Sequence, residues 1–518
     1  MDKTVAVIGG GLGSLAGAIR LAKMGFKVSL FEKNERLGGK MNIFEQNGFR
    51  FDTGPSLLTM PFVIDELFEF AGYKRQEYLN FQKINPLCKY FFDDGSVFEA
   101  SSDMEKILKE IDLLNTNQRN NYIKYFHYTQ KIYETTAEFF LFTPIHEIRK
   151  LINAKLFLLL LKSYKIDPFR TVNQSLEKFF NDGRLIKIFN RYATYNGSNP
   201  FKAPATLNII PYVEYGLGGY YIEGGMYRLV QALGKIAREL GVEIYTSAPV
   251  EKIIHHRGQV EGIALKGNTI SSDYILCGAD VVETHNKLLD GFSKARKKLN
   301  QLEPSLSGMV FLWGIDKSIP ELSLHNIIFS NDYQHEFYQI FEELKPPDDP
   351  TIYISISSKL NAVHAPSGNE NWFVLLNMPY LTNNIDWHQE TDRIREKIFE
   401  KLYRKNIDVP NNIIVEKVFT PVDFYKLHAS NRGSIYGISS NSRITAFKRP
   451  PNRSRELKGL YFAGGSVHPG GGIPLVLLSG KIASELIGEK EGILIQTKTD
   501  LVQVSKNYAK SQYQPTFN

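Results

Sequence analysis

The sequence predicts an α/β fold, and three stretches carry that expectation. Residues 4–8 (TVAVI) are a short β-branched run, the pattern of a strand covered on both faces. They pass into Gly9-Gly10-Gly11-Leu12-Gly13-Ser14 and then a helical spacing of Leu15, Ala18, Ile19, Leu21 and Ala22. Residues 27–31 (KVSLF) make a second strand ending at Glu32, which completes a Rossmann-like βαβ unit. Far along the chain, residues 460–462 (LYF) run into Gly464-Gly465-Ser466, then Val467-His468-Pro469-Gly470-Gly471-Gly472-Ile473-Pro474, and a helix from Leu475 through Ile487.

Each glycine of the first loop answers a physical demand. Gly9 lets the chain turn sharply, Gly11 admits a pyrophosphate close to the backbone, and Gly17 lets the helix lie near the sheet. Glu32, 23 residues after Gly9, is placed to accept hydrogen bonds from both hydroxyls of a ribose. An acid there disfavours NADP, whose phosphate it would repel. Leu12, Gly13 and Lys33 are further expected contacts in this unit. The usual third glycine is replaced by Ser14, with Gly13 one place early; serine is small, and the loop is expected to tolerate it.

Arg36-Leu37-Gly38-Gly39-Lys40 and Phe51-Asp52-Thr53-Gly54-Pro55-Ser56 follow Glu32. These segments resemble the second FAD fingerprint of the glutathione-reductase-like and amine-oxidase-like superfamily. In that superfamily paired glycines pass under the dinucleotide and a basic residue such as Lys40 neutralises phosphate. NAD dehydrogenases lack the segment. The resemblance therefore implies FAD, held in part by Gly39, Lys40, Gly54, Pro55 and Ser56.

A chain of 518 residues exceeds one compact core, so two or three domains are expected. Residues 1–80, 216–290 and 450–500 are assigned to a discontinuous FAD-binding domain. Within it, Gly224 to Arg228 open a helix over 229–240, Gly241 closes it, and strands follow through 242–250, 260–265 and 273–277 to Gly278. Gly278 is expected at the cofactor. Val250 is either the superfamily's backbone contact to adenine or an ordinary buried strand residue. Residues 81–215 and 291–449 are assigned to an interleaved α+β substrate domain, whose apolar runs at 310–315, 351–357 and 372–378 predict a sheet covered on both faces. Residues 501–518 are polar and aperiodic, the pattern of a flexible tail.

Composition narrows the class. Hydrophobic residues at 43% and charged residues at 23% exclude a disordered chain. A net charge of +7 without any Lys/Arg block fits an anionic membrane surface better than nucleic acid. Cys88 and Cys277 stand far apart in apolar surroundings, which excludes a disulfide scaffold and a cysteine metal site; both are expected to be core thiols in a reducing compartment. No metal site is expected. Met1-Asp2-Lys3-Thr4 leads straight to a strand, so no signal peptide is expected, and no apolar run approaches the roughly 20 residues that span a bilayer.

The strand–glycine loop–helix at 460–487 directs backbone N–H groups and a positive helix end at an anion or electron-rich ring. In a flavin enzyme it would stand beside the N1 and O2 atoms of the isoalloxazine. Here a more specific resemblance enters. RLGGK (36–40), DTGPSLLTMP (52–61), TYNGSNPFKAPATLNIIPYVEYGLGG (194–219) and GLYFAGGSVHPGGGIPLVLLSG (459–480) resemble the phytoene-desaturase-type carotenoid desaturases of bacteria and fungi. The likeness spans nearly the whole chain. DTGPSLLTMP, PLCKYFFDDGS (86–96) and HPGGGIPLVLLSG are most similar to the hydroxycarotenoid 3,4-desaturases within that family. The resemblance implies FAD contacts from Gly9, Gly11, Leu12, Glu32, Lys40, Pro55, Ser56, Val250, Gly465, Ile473 and Pro474, with Gly464 and Gly472 in the same loop. It implies removal of two hydrogens from a carotenoid in carotenoid biosynthesis, with electrons passed to oxygen or a membrane quinone.

Hydrogens allylic to a polyene are lost with little help from a strong base, so position and a dry apolar channel are what the protein must supply. His468, in the glycine loop, is either a base or a structural imidazole bonded to a backbone carbonyl. Arg191 and Glu214 flank the central motif and suit an ion pair. A carotenoid is collected from a bilayer, and residues 139–170 have a composition suited to meeting one. Phe139 to Phe142 come first, then basic Arg149 and Lys150, then Leu156 to Leu161 bracketed by Lys155 and Lys162. The segment is expected either to touch a membrane or to be a buried helix. The first places the protein in the cytoplasm, peripherally on the inner face of the cell membrane. Rival functions are a phytoene desaturase, a carotenoid isomerase, an amine oxidase and a non-enzymatic prenyl-lipid escort; the last has no need of the loop 464–472.

Overall fold

The structure, a computed structural model, describes residues 2–147, 166–382, 384–442, 449–493 and 500–512. The βαβ unit forms as its pattern predicts: strand Thr4–Ile8, helix Leu12–Lys23, strand Lys27–Phe31. A five-stranded parallel sheet grows around it, in the spatial order Leu460–Phe462, Tyr274–Cys277, Thr4–Ile8, Lys27–Phe31, Glu243–Tyr245. All five strands therefore point their C-terminal ends at one edge, which is where ligands sit in open parallel sheets.

The first helix and the helix Ile473–Lys490 meet glycine to glycine. A Cβ on Gly480 would lie 2.3 Å from the Gly13 carbonyl oxygen, and one on Gly13 would lie 2.9 Å from the Gly464 nitrogen. Gly17 faces the sheet, where a Cβ would come within 2.4 Å of Leu276. The close approaches thus fall on Gly13 and Gly17, so Ser14 is free of them. Its hydroxyl is buried without a hydrogen-bond partner against Gly278, where a Cβ would sit 1.8 Å from Ser14 Oγ. Gly278 makes room for the serine that departs from the motif.

A second, seven-stranded sheet runs Ile413–Phe419, Ser307–Ile315, Glu370–Met378, Ile352–Ile356, His325–Ile328, Cys88–Phe91, Val97–Ala100. It is antiparallel except where His325–Ile328 lies parallel to Cys88–Phe91. The period of two divides its residues. Phe311, Trp313, Trp372, Val374 and Leu376 share a core with Ile394, Ile398 and Leu402 of the helix Trp387–Tyr403. Val310, Phe373, Leu375 and Asn377 face the other way, into a cavity.

Two expectations need correction. Val250 lies in the loop between strands Glu243–Tyr245 and Lys252–His256, half-buried against a core of Ala6, Ile8 and Phe31, rather than within a strand. Residues Leu501–Gln512 form a helix where a flexible tail was expected, because Leu501 and Ser505 bury against the body and Tyr133 Oη lies 2.5 Å from Ser505 Oγ. Residues 513–518 lie outside the described residues, as do Arg149, Lys150, Lys155, Lys162 and the leucine run 156–161. No helix among the described residues is long and apolar enough to cross a membrane.

Candidate active site

A cavity of about 810 Å³ opens at the C-terminal edge of the parallel sheet and extends along the inner face of the second sheet. Every residue singled out from the sequence for the cofactor lines it: Gly9, Gly11, Leu12, Gly13, Glu32, Lys33, Gly39, Lys40, Gly54, Pro55, Ser56, Val250, Gly278, Gly464, Gly465, Gly472, Ile473 and Pro474. His468, Arg191, Glu214 and Cys88 line it as well.

At one end the two N-terminal fingerprints interlock. Gly38 donates from its backbone to the Gly10 carbonyl at 2.8 Å, and a Cβ on Gly39 would stand 3.3 Å from the Gly11 Cα. Above Gly11 itself the space is open, with no protein atom within 4 Å of a built Cβ. The helix Leu12–Lys23 begins there with no side-chain cap and no acid in its first turn, as does the helix Ile473–Lys490. Two uncapped positive helix ends therefore border one cavity. Glu32 ends its strand buried, accepting from Gly10 N at 2.6 Å and from Asn34 N and Nδ2 at 2.8 and 2.9 Å.

The cations are placed unequally. Lys40 Nζ donates to the carbonyls of Ile435 and Ser434 at 2.8 and 3.3 Å, and burial pulls its ammonium down to about 8 against the pull of Asp280. Lys33 turns its ammonium to the Lys426 carbonyl at 2.9 Å. Arg449, which the sequence did not flag, is buried and donates to the carbonyls of Gly465 and Ile438 and to Asn196 Oδ1 at 2.7, 3.0 and 2.8 Å. It pins the C-terminal glycine loop, and no motif surrounds it by which it could have been found.

His468 Nε2 lies 2.9 Å from the Thr143 carbonyl oxygen, so Nε2 carries the proton and donates. That is the bond of a structural imidazole. Burial pulls it down to about 4, so it is neutral at physiological pH. The unfolded histidine binds a proton below about 6.5 and the folded one does not until about 4. Its contribution to stability is thus complete above pH 6.5 and is lost as pH falls toward 4. His364 follows the same course, with burial the main cause, and His325 and His428 titrate lower still, at about 3. Unfolding free energy should fall from pH 6.5 to 4.5 with a steeper slope in the wild type than in His468→Gln. The difference is at most about 1.4 kcal/mol per pH unit. Urea titrations at the two pH values measure it, and equal slopes would refute the burial argument.

Cys88 and Cys277 are buried, and burial pushes their thiols up to about 12 and about 11. Neither is a nucleophile at neutral pH. Among the described residues no group of histidine, cysteine and carboxylate side chains is placed to hold a metal ion.

Comparison with known proteins decides the family. Residues 15–488 match the profile described as flavin containing amine oxidoreductase. The chain belongs to the flavin-containing amine oxidoreductase family. A 1-hydroxycarotenoid 3,4-desaturase of Flavobacterium is 42% identical to it, over 94% of this chain and 99% of the relative. A 4,4'-diapolycopene oxygenase of Methylomonas is 36% identical, over 94% and 98%. An oxidoreductase of known structure from Methanosarcina mazei shares the fold with a TM-score of 0.64 at 16% identity, covering 93% of this chain and all of that one. As a member of the family the protein is a flavin-dependent oxidoreductase with FAD as cofactor. The residues present fit that group: open space over Gly11, two uncapped helix ends, and a carboxylate at the close of the second strand.

Proposed function

We propose that this protein is a carotenoid desaturase that removes two hydrogens from adjacent carbons to form a C=C bond, and that its reaction is 3,4-desaturation of a 1-hydroxycarotenoid. The observation that carries this is the shape of the cavity. From the glycine cradle it continues past Leu87, Ile209, Ile210, Val213, Ile327 and Leu375, an apolar wall suited to a rod of hydrocarbon. The 42% identity to a 1-hydroxycarotenoid 3,4-desaturase supports the bond and the substrate.

In this reading the Gly9–Gly13 loop, Glu32, Lys40, Gly54–Ser56, Val250 and the loop 464–474 hold FAD. FAD, when bound, would supply the two-electron acceptor that removal of two hydrogens requires. The chain's share is placement and dryness. Apolar side chains exclude water and hold the polyene in one register. Arg449 fixes the glycine loop through Gly465. Oxygen or a membrane quinone takes the electrons.

Phe140, Leu141, Ile145 and Pro168 line the cavity, and they flank segment 148–165 in the sequence. We infer that a carotenoid enters there from a membrane to which the protein is peripherally attached at the cytoplasmic face. One experiment tests both statements. The purified protein is incubated with phytoene, lycopene and a 1-hydroxylated carotenoid in anionic liposomes, the vesicles are floated, and the products are separated by chromatography. Protein should rise with the lipid, and the 1-hydroxylated carotenoid should lose two hydrogens. Conversion of phytoene alone overturns the substrate, and protein left in the soluble fraction overturns the attachment.

A further inference from the structure

The end of the cavity marked by Glu32 is walled by a helix that comes from the other sheet. The helix Pro421–His428 follows Ile413–Phe419, the edge strand of the seven-stranded sheet, and its Phe424, Leu427 and His428 line the cavity. A helix leaves its last carbonyls without donors of its own. Two of them are met here from the turn that closes the second strand of the βαβ unit. Lys33 Nζ donates to the Lys426 carbonyl at 2.9 Å, and Asn34 Nδ2 to the Leu427 carbonyl at 3.2 Å. A lysine suits that place, because its charge meets the negative end of the helix. Lys287 adds a third tie: its Nζ donates to Tyr425 Oη at 2.8 Å and stands 4.5 Å from the centroid of that ring.

The same turn holds the acid expected at the ribose. Asn34 Nδ2 donates to Glu32 Oε1 as well as to the Leu427 carbonyl, so one amide joins the carboxylate to the helix end. The turn also receives the loop that leads to Val250. Ala248 N donates to the Glu32 carbonyl at 2.8 Å, and Ser247 N to the Asn34 carbonyl at 2.9 Å. Glu32–Asn34 is thus joined both to the loop of Val250 and to the helix, and all three line the cavity. The ties to the helix are solvent-exposed polar contacts, which break at small cost. The helix can therefore lift from this turn far more readily than either sheet can open.

We propose that the helix Pro421–His428 is a cover over the adenosine end of FAD, and that it must undock from Lys33, Asn34 and Lys287 before the flavin enters or leaves. This rests on the placement of FAD given above and is independent of the polyene. It makes Lys33, expected from the sequence to touch the cofactor, part of the latch that holds the cover.

Tyr425→Leu tests it, because Tyr425 stands outside the cavity lining and reaches the flavin only through the helix. Lys33→Met is the second variant, cutting the bond to the helix end while keeping an apolar stem. FAD uptake by the apoprotein and FAD release from the holoenzyme are followed by flavin fluorescence, with circular dichroism as the control for the fold. A latch governs passage in both directions. Each variant should therefore speed uptake and release alike, about fivefold, and leave Kd within about twofold. Faster release with unchanged uptake would mean that the side chain stabilises bound FAD directly, and it overturns the cover. Two unchanged rates overturn it as well. Glu32→Gln separates this inference from the one beneath it, since losing the carboxylate should weaken FAD binding. An unchanged affinity in Glu32→Gln shows that the ribose lies elsewhere, and the placement of FAD fails together with the cover. A weakened affinity there, with both rates unaltered in Tyr425→Leu and Lys33→Met, overturns the cover alone.

Discussion

Gly11→Val should give a folded protein that has lost its yellow colour. Gly11 sits at φ −70° and ψ 169°, a conformation open to any residue, and no protein atom lies within 4 Å of a Cβ built on it. The apoprotein therefore has room for a Cβ at this position. The space that valine takes is the space over the loop, between the two uncapped helix ends, where the pyrophosphate of FAD is expected to lie. The added isopropyl group there should weaken flavin binding on the order of a hundredfold, about 2.8 kcal/mol. Flavin absorbance per mole of purified protein reads the loss, and circular dichroism reads the fold. Gly13→Val is the contrasting variant. Its side chain meets Gly464 N and the Val476 carbonyl, so misfolding should accompany any flavin loss. A Gly11→Val protein that keeps a full complement of FAD would show that the dinucleotide does not cross this loop.

Glu66→Ala should be among the most destabilising single changes remote from the cavity. Arg20 of the first helix is wholly buried, its guanidinium paired with Glu66 of the helix Phe62–Ala71 and lying 4.5 Å from the Phe70 ring centroid. Glu66 also stands 3.5 Å from Lys481 on the helix Ile473–Lys490, so one carboxylate holds cations from two helices. Removing it leaves Arg20 buried and unpaired beside a second positive charge. Breaking a buried pair in this way costs about 3–5 kcal/mol, a large part of the roughly 5–15 kcal/mol that holds a typical domain together. Urea unfolding measures the loss. The double variant Arg20→Met with Glu66→Leu should recover most of it, because no unpaired charge remains. A loss below about 1 kcal/mol for Glu66→Ala would mean that water reaches the pair.

The two sites differ in how far the sequence reveals them. The demand on Gly11 was readable from the sequence, since a strand, a glycine loop and a helix within a few residues form a local pattern whose geometry follows from chain sterics. The Arg20–Glu66 pair was not. Arg20 occupies an ordinary helix position, and only the packing of three helices encloses it. Ser14 shows the limit within the motif itself. Its tolerance was expected from size, yet what accommodates it is Gly278, distant in sequence and brought alongside by the pairing of Thr4–Ile8 with Tyr274–Cys277. The end of the chain failed for a related reason. Residues 501–518 read as polar and aperiodic, but Tyr133 and Tyr220 offer Ser505 and Tyr508 hydroxyl partners that only the folded body presents.

By itself the sequence determined the cofactor unit: the βαβ order, the glycine positions, the acid at the close of the second strand and the glycine loop before the last long helix. These are short-range constraints, set by backbone conformation and by periods of two and 3.6 residues. Tertiary structure alone decided which residues wall the cavity beyond the glycine loops. His325 and Tyr353 come from neighbouring antiparallel strands, Ser56 from the second fingerprint, Arg191 from a helical turn, and Arg449 from a loop. No spacing in the chain relates them. Their meeting in one cavity follows from strand register and sheet packing, which depend on contacts across hundreds of residues.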